Sequence, residues 1–313
     1  MSVMFASVAF LLAAICAALM GYAIQRGATC TVAAVAELVE QRSARRLAAL
    51  AEAALWVAGG LAIAVLLGLI PALPRSFAVS GWTVAGGMLL GFGAYANGAC
   101  VFGAIARLGS GDWAYVLTPL GFFAGAVSVG PLFGAAMPVP VAVAAMHPPL
   151  WLVLPFALFA AWRIIGLALH GRNFTAKVWA PHEATILIGI TFTIMFVSVG
   201  AWTYTDLLMK LAHGMGGQFG WQLGLLAALF GGAILGGWSA GRLSSRLPTM
   251  TGLARCFAGG LLMGWGSALI PGGNDGLILT GLPLLRPFAW LAILTMAATI
   301  AIALLTERKL RRG

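Results

Sequence analysis

Two cysteines, Cys30 and Cys100, stand 70 residues apart in matching surroundings. Gly21-Tyr22 precedes the first as Gly91-Phe92 precedes the second, and Thr29-Cys30 corresponds to Ala99-Cys100. In both copies an apolar run ends in small residues, reaches a cysteine, and a short helical stretch begins. A helix that starts there leaves free backbone N–H groups at its first turn. With the helix dipole they place roughly half a positive charge at that point, which suits an anion. Glycine permits such a break and lets a ligand approach the backbone. A thiolate beside it would repel an anion, whereas a neutral S–H is a weak donor and a soft, polarisable surface. Weak contacts also favour release, which a conducting path requires. Neutral thiols at helix starts therefore suit passage of a soft anion such as a sulfur oxyanion.

The elements that must hold these residues are membrane spans. Hydrophobic residues make up 61% of the 313-residue chain and charged residues 8%, against about 25% charged in an ordinary soluble domain. Apolar runs long enough to cross ~30 Å of hydrocarbon recur along the whole length. The expected fold is an all-α polytopic membrane protein. Nine spans are expected near 3–25, 47–70, 81–98, 113–135, 149–169, 183–202, 219–240, 250–270 and 287–306. Four short helices are expected near 31–40, 100–108, 204–213 and 274–282, each reaching about half a bilayer at ~1.5 Å per residue, or else lying on the surface. The opening segment lacks a basic stretch before its apolar run and is expected to remain as the first span.

Basic residues set the orientation. With the N-terminus outside, fifteen Lys and Arg fall on the inner side, among them Arg26, Arg42, Arg45, Arg46 and Arg107; only Arg75, Lys210 and Arg286 fall outside. Reversal would invert this positive-inside bias, so the C-terminus is expected to be cytoplasmic. The net charge of +10 then reads as an orientation and lipid-headgroup signal, not as nucleic-acid binding.

A longer repeat organises the chain. Ala85-Gly86-Gly87-Met88-Leu89-Leu90-Gly91-Phe92-Gly93 returns 173 residues later as Ala258-Gly259-Gly260-Leu261-Leu262-Met263-Gly264-Trp265-Gly266. The same offset carries the second, third and fourth spans onto the seventh, eighth and ninth. It places Gly27-Ala28 on Gly200-Ala201 and leaves the fifth span without a counterpart. One odd crossing between two four-span halves turns the second half over. The expected organisation is a single membrane domain: residues 1–135 as the first half, 136–173 as a connecting span, and 174–313 as an inverted second half. Inverted repeats of this kind place a substrate site near midplane where the halves meet.

Candidate lining residues for an anion path are Cys30, Cys100, Gly27, Asn97, Gly98, Gly273 and Asn274. Each has a plainer reading. A cysteine in a span is ordinarily packing, which is the reading for Cys16 and Cys256; the repeat weakens it for Cys30 and Cys100. Asn97 and Asn274 would equally satisfy backbone freed at the helix breaks. Asp275 reads as the N-cap of the last short helix. Arg26 and Arg107 read as interfacial anchors, the Trp residues as an interfacial belt, and His147, His170, His182 and His213 as loop or span-end residues. No cysteine pair has metal-ligand spacing, and neither a metal nor a cofactor is expected. No P-loop is present, and no intramembrane run of Asp, Glu or His suggests a proton relay.

Gly21-Tyr22-Ala23-Ile24-Gln25-Arg26-Gly27-Ala28-Thr29-Cys30 resembles the first signature of the YeeE/YedE family of sulfur-transport membrane proteins. Asn97-Gly98-Ala99-Cys100-Val101-Phe102-Gly103, followed by Arg107-Leu108-Gly109-Ser110-Gly111-Asp112-Trp113, resembles its second. Gly259-Gly260-Leu261-Leu262-Met263-Gly264-Trp265-Gly266-Ser267 resembles its third. The resemblance spans essentially the whole chain. It implies a multi-pass permease of the bacterial inner membrane, not an enzyme, taking up thiosulfate, with cysteines at the helix breaks handing the anion along. Many family members carry a further cysteine after a glycine pair in the third motif. Here Pro271-Gly272-Gly273-Asn274-Asp275-Gly276 has none, and its place falls to Gly273 or Asn274. Either two thiols suffice, Asn274 supplies the missing donor, or this branch moves something else. The implied partners are that small anion and the bilayer; a cytoplasmic sulfur-carrier protein remains unknown. The competing readings are a membrane thiol–disulfide relay through Cys30 and Cys100, against which the absence of a CxxC spacing counts, and an accessory scaffold.

Overall fold

The computed structural model describes residues 7–70, 73–134, 139–141, 150–169, 178–214 and 219–311. In chain order the helices are α1 (Val8–Arg26), α2 (Thr31–Gln41), α3 (Arg45–Leu66), α4 (Gly81–Asn97), α5 (Val101–Gly109), α6 (Leu117–Phe133), α7 (Leu150–Leu169), α8 (Pro181–Val199), α9 (Tyr204–Ala212), α10 (Phe219–Ser239), α11 (Met250–Leu269), α12 (Asn274–Gly276) and α13 (Pro287–Leu310). A π-helical turn, Leu277–Gly281, extends α12. A two-residue ribbon pairs Ser76 with Val141 and Phe77 with Pro140.

Seven helical segments among the described residues are long and apolar enough to cross a membrane, and an eighth if the pair α11 and 274–281, bent by 53°, is one span. The chain is an all-α, multi-pass membrane protein. The expected fifth crossing corresponds to α7, whose apolar part, Val153–Gly166, is shorter than the others. Two expected boundaries, at 135/136 and 173/174, lie outside the described residues, as do His147, His170, Arg172 and Lys177.

Many small residues are buried between the helices, and many large apolar ones face outward, as a lipid solvent allows. On α1, Ala13, Ala17, Met20 and Ile24 are buried, whereas Leu11, Ile15 and Leu19 are exposed. The glycine motifs form the closest seam. A Cβ on Gly86 would stand 2.7 Å from the Gly266 carbonyl oxygen, and one on Gly266 2.5 Å from that of Gly86. Likewise Gly93 meets Gly259, at 2.8 and 2.7 Å from the facing carbonyl oxygens. The start of one motif thus packs on the end of the other, so α4 and α11 run antiparallel. Element positions follow the same 173-residue offset, with α1 at Val8–Arg26 and α8 at Pro181–Val199, and α2 starting at Thr31 and α9 at Tyr204.

Glu52 of α3 fastens α7 to this frame. Arg163 of α7 donates to it through Nε at 2.7 Å and Nη2 at 3.1 Å; His182 Nδ1 of α8 lies 2.5 Å away, and Trp56 Nε1 donates at 3.4 Å. His182, the second residue of α8, is thus at a span end as expected, and it faces the Glu52 carboxylate. Three tryptophans also leave the expected belt: Trp56, Trp179 and Trp202 are buried.

Candidate functional site

Four short helices begin where the expected breaks lie, and their first residues meet in the centre. Cys30 is the N-cap of α2 and Cys100 the N-cap of α5, each extended and without a side-chain cap of its own. Cys100 Sγ instead accepts from Thr31 N at 3.1 Å, the first helical residue of α2. The two thiols lie within hydrogen-bonding reach of each other, and all four cysteines are free. Cys100 is fully buried, while Cys30 is partly open. Gly103 makes room for this pairing, since a Cβ there would stand 2.6 Å from Cys30 Sγ.

Asn274, at the start of α12, bridges the two cysteine-capped helices. Asn274 Oδ1 accepts from Val101 N at 3.3 Å, and its Nδ2 donates to Thr31 Oγ1 at 3.5 Å. One amide therefore touches the starts of both cysteine-capped helices, and its carboxamide is fully buried. Gly273 is the N-cap before it. A Cβ on Gly273 would fall 2.4 Å from Thr205 Oγ1 and 2.8 Å from Asp275 Oδ1. A third thiol therefore has no room at 273, whereas 274 faces the starts of both cysteine-capped helices.

Asp275 corrects the sequence reading twice. It is not the N-cap but the second helical residue, and it faces α9. Thr205 N donates to its Oδ2 at 3.4 Å, and the Thr205 hydroxyl donates to its Oδ1. The carboxylate occupies the positive end of α9, where Thr203 also caps by accepting from Asp206 N at 3.3 Å. Asp206 and Asp275 thus put two acidic groups at the centre, where the sequence displayed no acidic run. By offset Thr203 stands where Cys30 does and Gly273 where Cys100 does. The helix starts at these positions differ in chemistry: thiols cap α2 and α5, whereas a carboxylate sits at the start of α9.

The remaining expected residues divide. Gly27 joins Cys30, lining the same small cavity. Asn97 and Gly98 turn into their own break. Asn97 Nδ2 donates to the Ala99 carbonyl at 2.7 Å, and its Oδ1 accepts from Thr118 Oγ1 at 3.0 Å. Gly98 takes φ +73° to close α4, a conformation that favours glycine. Arg26 is no interfacial anchor: it is 2% exposed. Its guanidinium lies 5.5 Å from the Tyr22 ring centre and 5.6 Å from that of Trp179, cation–π contacts that offset part of its burial. Thr31 and Thr205 carried no signal in the sequence. Among the described residues no group of three or more His, Cys, Asp and Glu side chains could hold a metal ion.

No curated protein matches the chain. A family model described as sulphur transport matches residues 26–302, a stretch that begins at the buried Arg26 and includes every residue of the central cluster. With that match over most of its length, the chain belongs to the YeeE/YedE sulfur-transport family.

Proposed function

We propose that this sulfur transporter is a permease importing thiosulfate or a closely related sulfur-containing anion across the bacterial inner membrane. The path runs between two inverted halves, 1–135 and 174–313, joined by the connecting span, with the N-terminus periplasmic and the C-terminus cytoplasmic. The antiparallel glycine seam between α4 and α11 supports the inversion, and the distribution of basic residues supports the orientation. One observation carries the reading: the cysteine-capped starts of α2 and α5 and the Asn274 amide converge on one another. These groups now satisfy one another. An entering anion exchanges its hydration for Thr31 N–H, Val101 N–H, the Asn274 amide and the two thiols. Cys100 Sγ and Asn274 Oδ1 give up their roles as acceptors in return. Because each contact is replaced and not lost, the net affinity stays modest, which suits passage over retention. Gly27, Gly98 and Gly273 permit the breaks that expose these donors, and Asn97 holds one of them in shape.

The experiment is uptake of labelled thiosulfate, sulfite and sulfate in cells lacking other importers of these anions, with Cys30 and Cys100 variants alongside. Thiosulfate uptake that depends on both thiols supports the reading; no uptake of any of the three overturns it.

A thiol–disulfide relay gains one specific point, since Cys30 and Cys100 are neighbours despite their distance in sequence. A relay needs two sulfurs, so Cys100→Ser would abolish it entirely. A permease keeps partial transport through the hydroxyl.

A further inference from the structure

A small cavity opens beside Cys30, between the break at 27–30, the first turn of α3 and the first turn of α8, where Thr185 lies. Its volume is about 10 Å³, the room of a single water molecule and too little for any sulfur oxyanion. Arg46 forms its wall. The Arg46 Nη1 donates to the Ala28 carbonyl at 3.4 Å, and its Nε pairs with Glu37 Oε2 at 3.0 Å. Ala28 sits at φ +46°, a left-handed conformation that costs a non-glycine residue about 1–3 kcal/mol and persists only where neighbours impose it. Glu37 is 7% exposed and also holds Ser43 Oγ at 2.7 Å and Arg45 Nε at 3.8 Å, whereas Arg46 is 35% exposed. One cation thus reaches solvent, the strained break and a buried carboxylate together.

We propose that Arg46 and Glu37 gate the end of the anion path next to Cys30, with Arg46 as an anion-binding residue and Glu37 as the internal anion that competes for it. The proposal rests on the permease reading above and extends it from the central cluster to one mouth. With no anion at the mouth, Glu37 and the Ala28 carbonyl hold Arg46 across the cavity. A sulfur oxyanion leaving Cys30 offers the planar guanidinium two acceptor oxygens. Arg46 then turns to it, releases Ala28 and widens the cavity. Return of Arg46 to Glu37 expels the anion to the solvent on that side. Positive-inside charge places this mouth in the cytoplasm, so it is the exit.

The test uses the full-length protein with Cys16→Ala and Cys256→Ala, in membrane vesicles of both orientations. The probe is an anionic, membrane-impermeant methanethiosulfonate, and mass spectrometry reads its adduct at Cys30. Arg46→Ala speeds labelling of Cys30 several-fold from the α2–α3 side and leaves the opposite side unchanged. Thiosulfate added on that side protects Cys30; the half-protecting concentration rises in Arg46→Lys, which loses the fork, and falls in Glu37→Gln, which frees Arg46. Unchanged labelling in Arg46→Ala, or Lys and Gln variants that shift protection in the same direction, overturns the gate. Should Arg46→Ala not insert, Glu37→Gln alone decides by the direction of its protection shift. A wild-type protein that takes up no sulfur anion, yet shows the faster labelling in Arg46→Ala, removes the permease reading and leaves the barrier at Arg46 standing.

Discussion

Thr31 donates its backbone N–H to Cys100 Sγ at 3.1 Å, so the first turn of one short helix is capped by the cysteine that precedes another. A bond between residues 69 positions apart does what a local Ser or Asp cap usually does within one helix. It leaves the α2 start paired with a weak, exchangeable acceptor. A carboxylate in the same place would hold it more firmly, as Asp275 does for α9.

Replacing that sulfur should separate shape from chemistry. Cys100→Ser keeps an acceptor for Thr31 and should retain measurable uptake, lowered about ten-fold, the kinetic equivalent of ~1.4 kcal/mol. Cys100→Ala leaves Thr31 N–H unpaired in a buried place, at a cost of ~1–3 kcal/mol, and should remove uptake with a lowered melting temperature. Labelled thiosulfate uptake and thermal unfolding in detergent check both.

Gly103 is required by its neighbour. In Gly103→Ala the new methyl would lie 2.6 Å from Cys30 Sγ, forcing the thiol away from Cys100. Overpacking of this size costs ~1–3 kcal/mol. Uptake should fall more steeply than stability, because the displaced atom belongs to the path. Equal loss of both would mean that the position serves packing alone.

The absent third thiol has one place to return. Asn274→Cys puts sulfur beside Val101 and Thr31 and should keep uptake within about three-fold of wild type, a difference of ~0.65 kcal/mol. Gly273→Cys collides with Thr205 and Asp275 and should express poorly or melt early. Parallel uptake and melting measurements on the two variants test the assignment.

Asp275→Asn removes the charge at the α9 start and turns one of two accepting oxygens into an NH2, leaving either Thr205 N–H or Gly276 N–H without its acceptor. With one fewer negative group near the cluster, the half-saturating thiosulfate concentration should fall while folding persists. A rise, or loss of uptake, would mean that the charge itself is needed for transport.

The seam between α4 and α11 can be probed away from the helix breaks. Gly86→Ala and Gly266→Ala each press a methyl to within 2.7 and 2.5 Å of the facing carbonyl and should each destabilise by ~1–3 kcal/mol. They disturb a single contact, so the double variant should lose less than the sum. Additive losses would place the two glycines in separate contacts.

The sequence alone determined the helical membrane class, the positions of the broken helices and the family. These follow from local quantities: apolar runs of span length, glycine at breaks, and motifs compared residue by residue. The starts expected near 31, 100, 204 and 274 are found at Thr31, Val101, Tyr204 and Asn274. Which side chains meet at those starts was decided only by the tertiary structure. Asn97 and Asn274 are the same residue type at similar breaks, yet one closes on its own turn and the other reaches across 173 residues to Val101. Arg26 likewise reads as an interfacial charge, because nothing in its neighbourhood announces that Trp179 will cover it. Partnership across a seam depends on helix rotation and approach distance, and those are set by packing in three dimensions, which no residue's type or spacing encodes by itself.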